Sequence, residues 1–304
     1  TAASLVVMSG APVYWLFLLA LVGQGTATGV VRGLDRPILS HLYPGQRGRV
    51  FTLHALAWGM GAVAGPLVVN QVLSITDWRA TYALLAAFFL PLSILLWRLD
   101  LPGDVSGERE LSVGALSELL RTPAIAGMGL AMVLVGGLEG TIFTWLPYYG
   151  IDVVGRQRSN LLLSTFLLAY IPGRLTYTWL AERVDYLDLT VVLSLGAFPP
   201  LYLLFGGVEG RALFAAVFVA GLFTSGFFPL ISAFGIDVAP EYSGPVNAIA
   251  TAGTYAGIAV GPVVVGLLAE RFSIASAMQL PVALAGCLVV VLGAIRLDRS
   301  RRGS

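Results

Sequence analysis

Glu139 is the residue whose surroundings make its type most informative. It stands in GGLEGTIFTW, a run with no other charge, six residues before Trp145, or about 9 Å along a helix. A carboxylate at membrane depth is costly and as a rule faces a cavity or a partner. A low-dielectric setting favours its protonated form, so it could load and release a proton near neutral pH. Two roles fit: a proton-coupling or substrate-contacting group, or a structural carboxylate bonded to a neighbouring helix at an outer gate. A second set is the stripe Gln24, Thr28, Arg32 and Asp35, spaced 4, 4 and 3, which places all four on one helix face. Arg32 either attracts an anionic solute or closes with Asp35 and Arg36 into an internal cluster. Thr224 and Ser225 offer hydroxyls to a solute or to their own backbone. Arg174, Glu182 and Arg183 read either as a charge cluster at one membrane face, which Asp237 could join, or as ordinary helix-end charge in water.

Other chemistries find no residues. The one cysteine, Cys287, excludes an internal disulfide, and two histidines are too few for a histidine metal site. The polar loops hold no Ser-His-Asp or paired-carboxylate spacing and no ATP motif, so the sequence reads as no enzyme, with no cofactor and no metal. A net charge of +1 argues against a nucleic-acid binder.

The elements that must position these residues are membrane helices. The chain is 57% hydrophobic and only 12% charged over 304 residues, against about 25% charged in soluble domains; its mean hydropathy is +0.84. Apolar stretches long enough to span a bilayer fall at 13–42, 49–74, 79–98, 123–149, 157–181, 187–206, 210–238, 244–270 and 273–296, and residues 1–9 read as the end of one more. The polar break 99–122 reads as a linker, with Thr122-Pro123 starting the next helix. The expected domains are therefore 1–98, the remainder of a first helical half; 99–122, a cytoplasmic linker; and 123–304, a six-helix second half. Every basic residue is arginine, twelve of them in breaks on the side of the C-terminus and five on the other. That bias predicts a cytoplasmic C-terminus, with Trp145, Tyr148 and Tyr149 in an outer aromatic belt.

GMGAVAGPLVV at 59–69 raises a different possibility, because its glycines are spaced loosely like a phosphate-binding loop. YAGIAVGPVVV at 255–265 answers it. Gly61, Gly65 and Pro66 recur 196 positions later as Gly257, Gly261 and Pro262, and the same offset pairs Gly25 with Gly221, Thr28 with Thr224 and Pro44 with Pro240. A phosphate loop needs a strand before it; these glycines, like those of GQGTATG at 23–29, lie inside apolar helices. Small residues four apart let membrane helices pack closely, so all six positions are expected at helix–helix contacts. An even number of spans separates the copies, which makes the repeat parallel.

In order and spacing, YPGQRGR at 43–49, GMGAVAGPLVV, Asp77-Trp78-Arg79, FTWLPYYG at 143–150 and PGRLTYTWLAERVD at 172–185 resemble the major facilitator superfamily, over essentially the whole chain. The resemblance implies an all-α polytopic membrane protein, a parallel repeat of helical bundles with about nine complete spans and one partial. It implies that the helices of Gln24 and Glu139 line a transport cavity, that Arg174, Glu182, Arg183 and Asp237 latch an inner gate, and that the halves rock about their glycine-rich helices. Departures point away from the standard drug/proton antiporters: Val69-Asn70 for Gly-Gly, Thr178 for Gly, Glu182 for Asp, and Leu21 where an arginine often stands.

The repeat offset also places counterparts of the 8–9 loop and of the seventh helix before residue 1, so about 75–90 residues, helices 1–2 and most of 3, are expected to be missing. The expected function is secondary transport of a small organic solute by alternating access, proton-coupled and directed towards efflux. The alternatives are a non-transporting fragment and a transporter-like solute receptor. The expected setting is the plasma membrane, with a monomer contacting solute, H+ and lipid.

Overall fold

The computed structural model describes the backbone of residues 1–42, 47–98, 113–239 and 242–302, and the side chains of these except 33–53, 55–56, 113, 115–116, 118, 243 and 302. Among the described residues every regular element is an α-helix. The chain divides into two compact units, Thr1–Gly107 and Glu108–Ser304. The division falls inside the segment 99–122.

The first unit holds α1 (Ala2–Gly10), α2 (Tyr14–Leu42), α3 (Arg47–Ile75) and α4 (Trp78–Trp97). Asp77 caps α4, its carboxylate accepting from the Arg79 backbone N–H at 2.9 Å, one of the donors that every helix start leaves open. The second unit holds α5 (Val113–Arg121), α6 (Pro123–Val154), α7 (Ser159–Leu168), α8 (Tyr170–Ala181), α9 (Tyr186–Phe205), α10 (Gly210–Thr224), α11 (Phe227–Val238), α12 (Ser243–Arg271), α13 (Ile274–Ala277) and α14 (Leu280–Arg302). Among the described residues, eight helical stretches are long and apolar enough to cross a membrane, counting α10–α11 and α13–α14 as one each.

Three expected spans are interrupted. The stretch 157–181 forms α7 and α8, 210–238 forms α10 and α11, and 273–296 begins with the short α13. Each interruption lies four residues before a proline: Leu168 before Pro172, Ser225 before Pro229, Ala277 before Pro281. Proline has no N–H for the carbonyl four residues back, and its ring crowds that carbonyl. Freed backbone groups in a membrane helix must find other donors. At the α10–α11 break the Leu222 carbonyl accepts the Tyr177 hydroxyl at 3.0 Å and the Ser225 hydroxyl at 2.7 Å. Proline alone does not decide the matter, since Pro66, Pro91, Pro147, Pro199, Pro200 and Pro262 sit inside unbroken helices.

The second unit is built around the crossing of α6 and α12. A Cβ on Gly136 would collide with the backbone of Thr254, and one on Gly257 with the Val133 carbonyl; on Gly140 it would stand 2.8 Å from Ile258 Cα, and on Gly261 2.6 Å from the Gly137 carbonyl. These backbones touch because both helices present glycine at the seam. The indole of Trp145 closes one end of it, donating to the Pro262 carbonyl at 2.9 Å.

Candidate functional site

Glu139 leaves α6 about 100° round the helix from the seam residue Gly140, on the side of α8 and α10. It is partly buried. The break before Pro172 makes Tyr170 the first residue of α8, and its hydroxyl donates to Glu139 Oε1 at 2.6 Å. That is the length of a charge-assisted O–H···O⁻ bond. The Tyr170 ring is 2% exposed and packs on Phe166 at 5.5 Å, which in turn meets Phe143 at 6.2 Å. Phe143 is one helical turn from Glu139, so an aromatic wall flanks the carboxylate. Arg174 also lies against Tyr170, its guanidinium carbon 5.2 Å from the ring centroid. The charge of Arg174 acts on both Glu139 and Tyr170.

Thr224 is a further side-chain partner of Tyr170, and it also donates to the Ala220 and Gly221 carbonyls at 3.0 and 3.2 Å. It has no exposed surface, and Ser225 beside it is 1% exposed. α8 reaches this depth because Gly173 lies against Leu222 and Ser225, and Gly221 against Phe166 and Ala169, with no room for a Cβ at either glycine. Glu139, Tyr170, Arg174 and Thr224 thus converge from three helices.

Sequence reasoning named three of these four but did not join them. Arg174 was expected in the loop cluster with Glu182 and Arg183; it stands inside α8 over Tyr170 instead, because the helix runs on to Ala181. Tyr170 was missed. A tyrosine in an apolar run looks like a belt residue, and 31 positions separate it from Glu139.

The remaining predicted residues lie elsewhere. Glu182 and Arg183 pair with each other at 3.6 Å, both well exposed, and Arg183 covers Trp179 at 4.0 Å. Asp237 lines a cavity of about 210 Å³ with Asp185 and Arg299. Here sequence reasoning missed a set of ion pairs: Arg299 to Asp185 at 2.8 Å and Arg296 to Asp188 at 2.6 Å. A signal existed, because both pairs are spaced three apart, 185/188 and 296/299, so each shares a helix face. Asp185 also caps α9, accepting from the Leu187 and Asp188 backbone N–H groups. Partial burial pushes its carboxyl up, but Arg299 and those N–H groups outweigh it and hold the group below the usual aspartate value. Tyr149, expected in the outer belt, is 4% exposed and donates to the Leu204 carbonyl at 3.2 Å, while Tyr148 is 54% exposed.

In the first unit, Gln24 and Thr28 are partly buried on α2 and Arg32 is exposed. Gln24 Oε1 is buried with no hydrogen-bond partner among the described residues. The side chain of Asp35 lies outside the described residues. Gly61 and Gly65 on α3 have open space where a Cβ would point.

The model of the Major Facilitator Superfamily matches this chain twice, over residues 1–157 and 154–304. The chain belongs to the major facilitator superfamily. Its members are membrane-spanning transporters of small molecules and not enzymes. A probable sugar efflux transporter of Haemophilus influenzae (strain PittGG) is 23% identical over 253 residues, 82% of this chain and 63% of that protein. This chain therefore spans less than two thirds of the relative's length. The mouse major facilitator superfamily domain-containing protein 10 is 30% identical over 100 residues, 31% of this chain and 22% of that one. Among solved structures, a bacterial homolog of the human lysosomal transporter Spinster, inward-facing and unoccupied, has a TM-score of 0.76 at 14% identity, covering 99% of this chain and 80% of that one. The E. coli fucose:proton symporter has a TM-score of 0.65 at 18% identity, covering 97% and 80%. These likenesses show the fold.

Proposed function

We propose that this chain carries out proton-coupled secondary transport of a small hydroxylated solute, a sugar in the first instance, with Glu139 as the proton-exchanging group. The observation that carries the reading is the Tyr170–Glu139 hydrogen bond beside Arg174. A tyrosine hydroxyl serves both forms of a carboxyl group: it donates to the carboxylate and accepts from the acid. Arg174 offsets the negative charge when the proton leaves. Glu139 can then change charge without being stranded in an apolar medium, as a proton site in a membrane requires.

Sugars are the solute class named for the Haemophilus relatives and the fucose symporter. Efflux, through rocking of the two halves, follows the Haemophilus relatives. The stripe Gln24, Thr28, Arg32 and Asp35 and the hydroxyls Thr224 and Ser225 supply solute contacts in this reading. The charges Glu182, Arg183 and Asp237 act at the inner gate in this reading, and Gly257 and Gly261 supply the packing surface against α6. The chain acts as a monomer in the plasma membrane with its C-terminus in the cytoplasm.

The test is a set of proteoliposomes holding the purified chain under an imposed pH gradient, challenged with a panel of radiolabelled monosaccharides. At least one sugar should move faster than in protein-free vesicles, and collapsing the gradient should abolish the difference. A chain that binds a sugar but moves none, or moves none and binds none, contradicts the reading.

A further inference from the structure

At one end of the first unit, α1 turns into α2 beside the turn from α3 into α4. The two turns enclose an open cleft of about 400 Å³. Arg79 is the one charged residue among the seven that line it. Its guanidinium lies over the Trp78 ring at 4.5 Å, and Nη2 donates to the Ala11 carbonyl at 3.3 Å. Trp78 is itself fixed, edge to face, against Phe17 at 5.5 Å and Tyr82 at 5.9 Å. The neighbouring carboxylate, Asp77, caps α4 through the Arg79 backbone N–H, and among the described residues no carboxylate pairs with the Arg79 side chain. A cation held from two sides over a cavity, with no anion supplied by the protein, is a preset anion ligand.

Membrane depth identifies the anion. α4 has 20 residues, about 30 Å at 1.5 Å per residue, which matches the hydrocarbon thickness of a bilayer. Arg79 at its start therefore stands in the headgroup layer. Exposed Tyr14 and Trp15 lie at the same level, 68% and 74% exposed, as aromatic residues do at that boundary.

We propose that this cleft holds a membrane phospholipid by its phosphodiester, with Arg79 as the phosphate ligand and Tyr14, Phe17 and Trp78 flanking the glycerol and the start of the acyl chains. Because no carboxylate lines the cleft to receive a choline or ethanolamine cation, lipids with net negative headgroups are preferred. Arg79 differs from the other arginines that span order places at the same membrane face. Like Arg79, the residues Arg156, Arg158, Arg211 and Arg271 are exposed, but among the described residues no ring or carbonyl holds their guanidinium groups, whereas Arg79 has both.

Native mass spectrometry tests the assignment. The purified chain is taken from nanodiscs of equimolar phosphatidylglycerol and phosphatidylcholine, and the lipid it retains is counted. The wild type should retain phosphatidylglycerol about fivefold over phosphatidylcholine, the scale of one interfacial arginine. Arg79→Gln should lose that preference, and Arg211→Gln, an equal change of charge at the same face, should keep it. Far-UV circular dichroism confirms that both variants are folded. Equal retention of the two lipids by the wild type, equal loss in the two variants, or displacement of the lipid by inorganic phosphate would each overturn the proposal.

Discussion

Two charged clusters of the second unit make opposite use of carboxylate and arginine. At the ends of α9 and α14, Asp185 and Asp188 meet Arg299 and Arg296 one to one, with side chains 40% exposed or more. In the middle of α6, Glu139 has a tyrosine hydroxyl at 2.6 Å and an arginine lying across the tyrosine ring rather than on the carboxylate. The first cluster is complete as built and ties two helix ends together. In the proposed reading the second changes its proton content without losing its partners. Charge that is exposed and fully paired is structural, and each such pair is worth about 0–1 kcal/mol. In the proposed reading the Glu139 cluster is where a proton acts.

Mutations should separate the two clusters. Glu139→Gln is expected to have the largest effect, lowering pH-gradient-driven solute flux by more than about tenfold. Solute exchange at equal pH should survive, because exchange needs no net proton movement; loss of both would make Glu139 structural. Tyr170→Phe keeps the ring between Phe166 and Arg174 and removes only the hydroxyl. A hydrogen bond to a charged group is worth about 1.5 kcal/mol or more, so driven flux should fall by about tenfold, with a loss of folding stability of about the same energy.

In the end cluster the readout should be stability and not flux. Asp185→Ala removes the cap and the ion pair, and should cost about 1–2 kcal/mol in reversible unfolding. Asp185→Asn keeps the cap and should cost less than about 1 kcal/mol, an effect that high salt removes. The pH dependence has a definite sign. Asp185 is held below the usual aspartate value, so its contribution is present above about pH 4 and is lost as pH falls through its lower folded value. Acid unfolding of Asp185→Asn should therefore begin at a pH closer to neutral than that of a surface control. Equal acid sensitivity in wild type and variant would remove Asp185 from the account.

The glycine repeat shows how far the sequence could be read. Twenty-residue apolar runs and the 196-residue offset make the helical membrane fold legible, because bilayer thickness and backbone hydrogen bonding leave few alternatives. They do not say which copy of a repeated motif is in contact. Gly257 and Gly261 meet the α6 backbone because α6 presents Gly136, Gly137 and Gly140, whereas Gly61 and Gly65 face open space. Gly257→Ala should then destabilise by about 1–3 kcal/mol, and Gly61→Ala should be neutral or stabilising by up to about 1 kcal/mol. The three interruptions were unreadable because the prolines inside the spans look alike in one dimension, and neighbouring hydroxyls and glycines decide which helices part. Glu139 was legible as a lone carboxylate in an apolar run. Its partner Tyr170 was not, since no periodicity links residues on different helices.

The most direct measurement is a count of protons. Proteoliposomes loaded with a pH-sensitive dye are given the sugar that the panel identifies, with no gradient imposed. The account predicts that wild-type protein moves protons together with sugar, and that Glu139→Gln exchanges the sugar while moving none. Proton movement in Glu139→Gln equal to that of the wild type would contradict it.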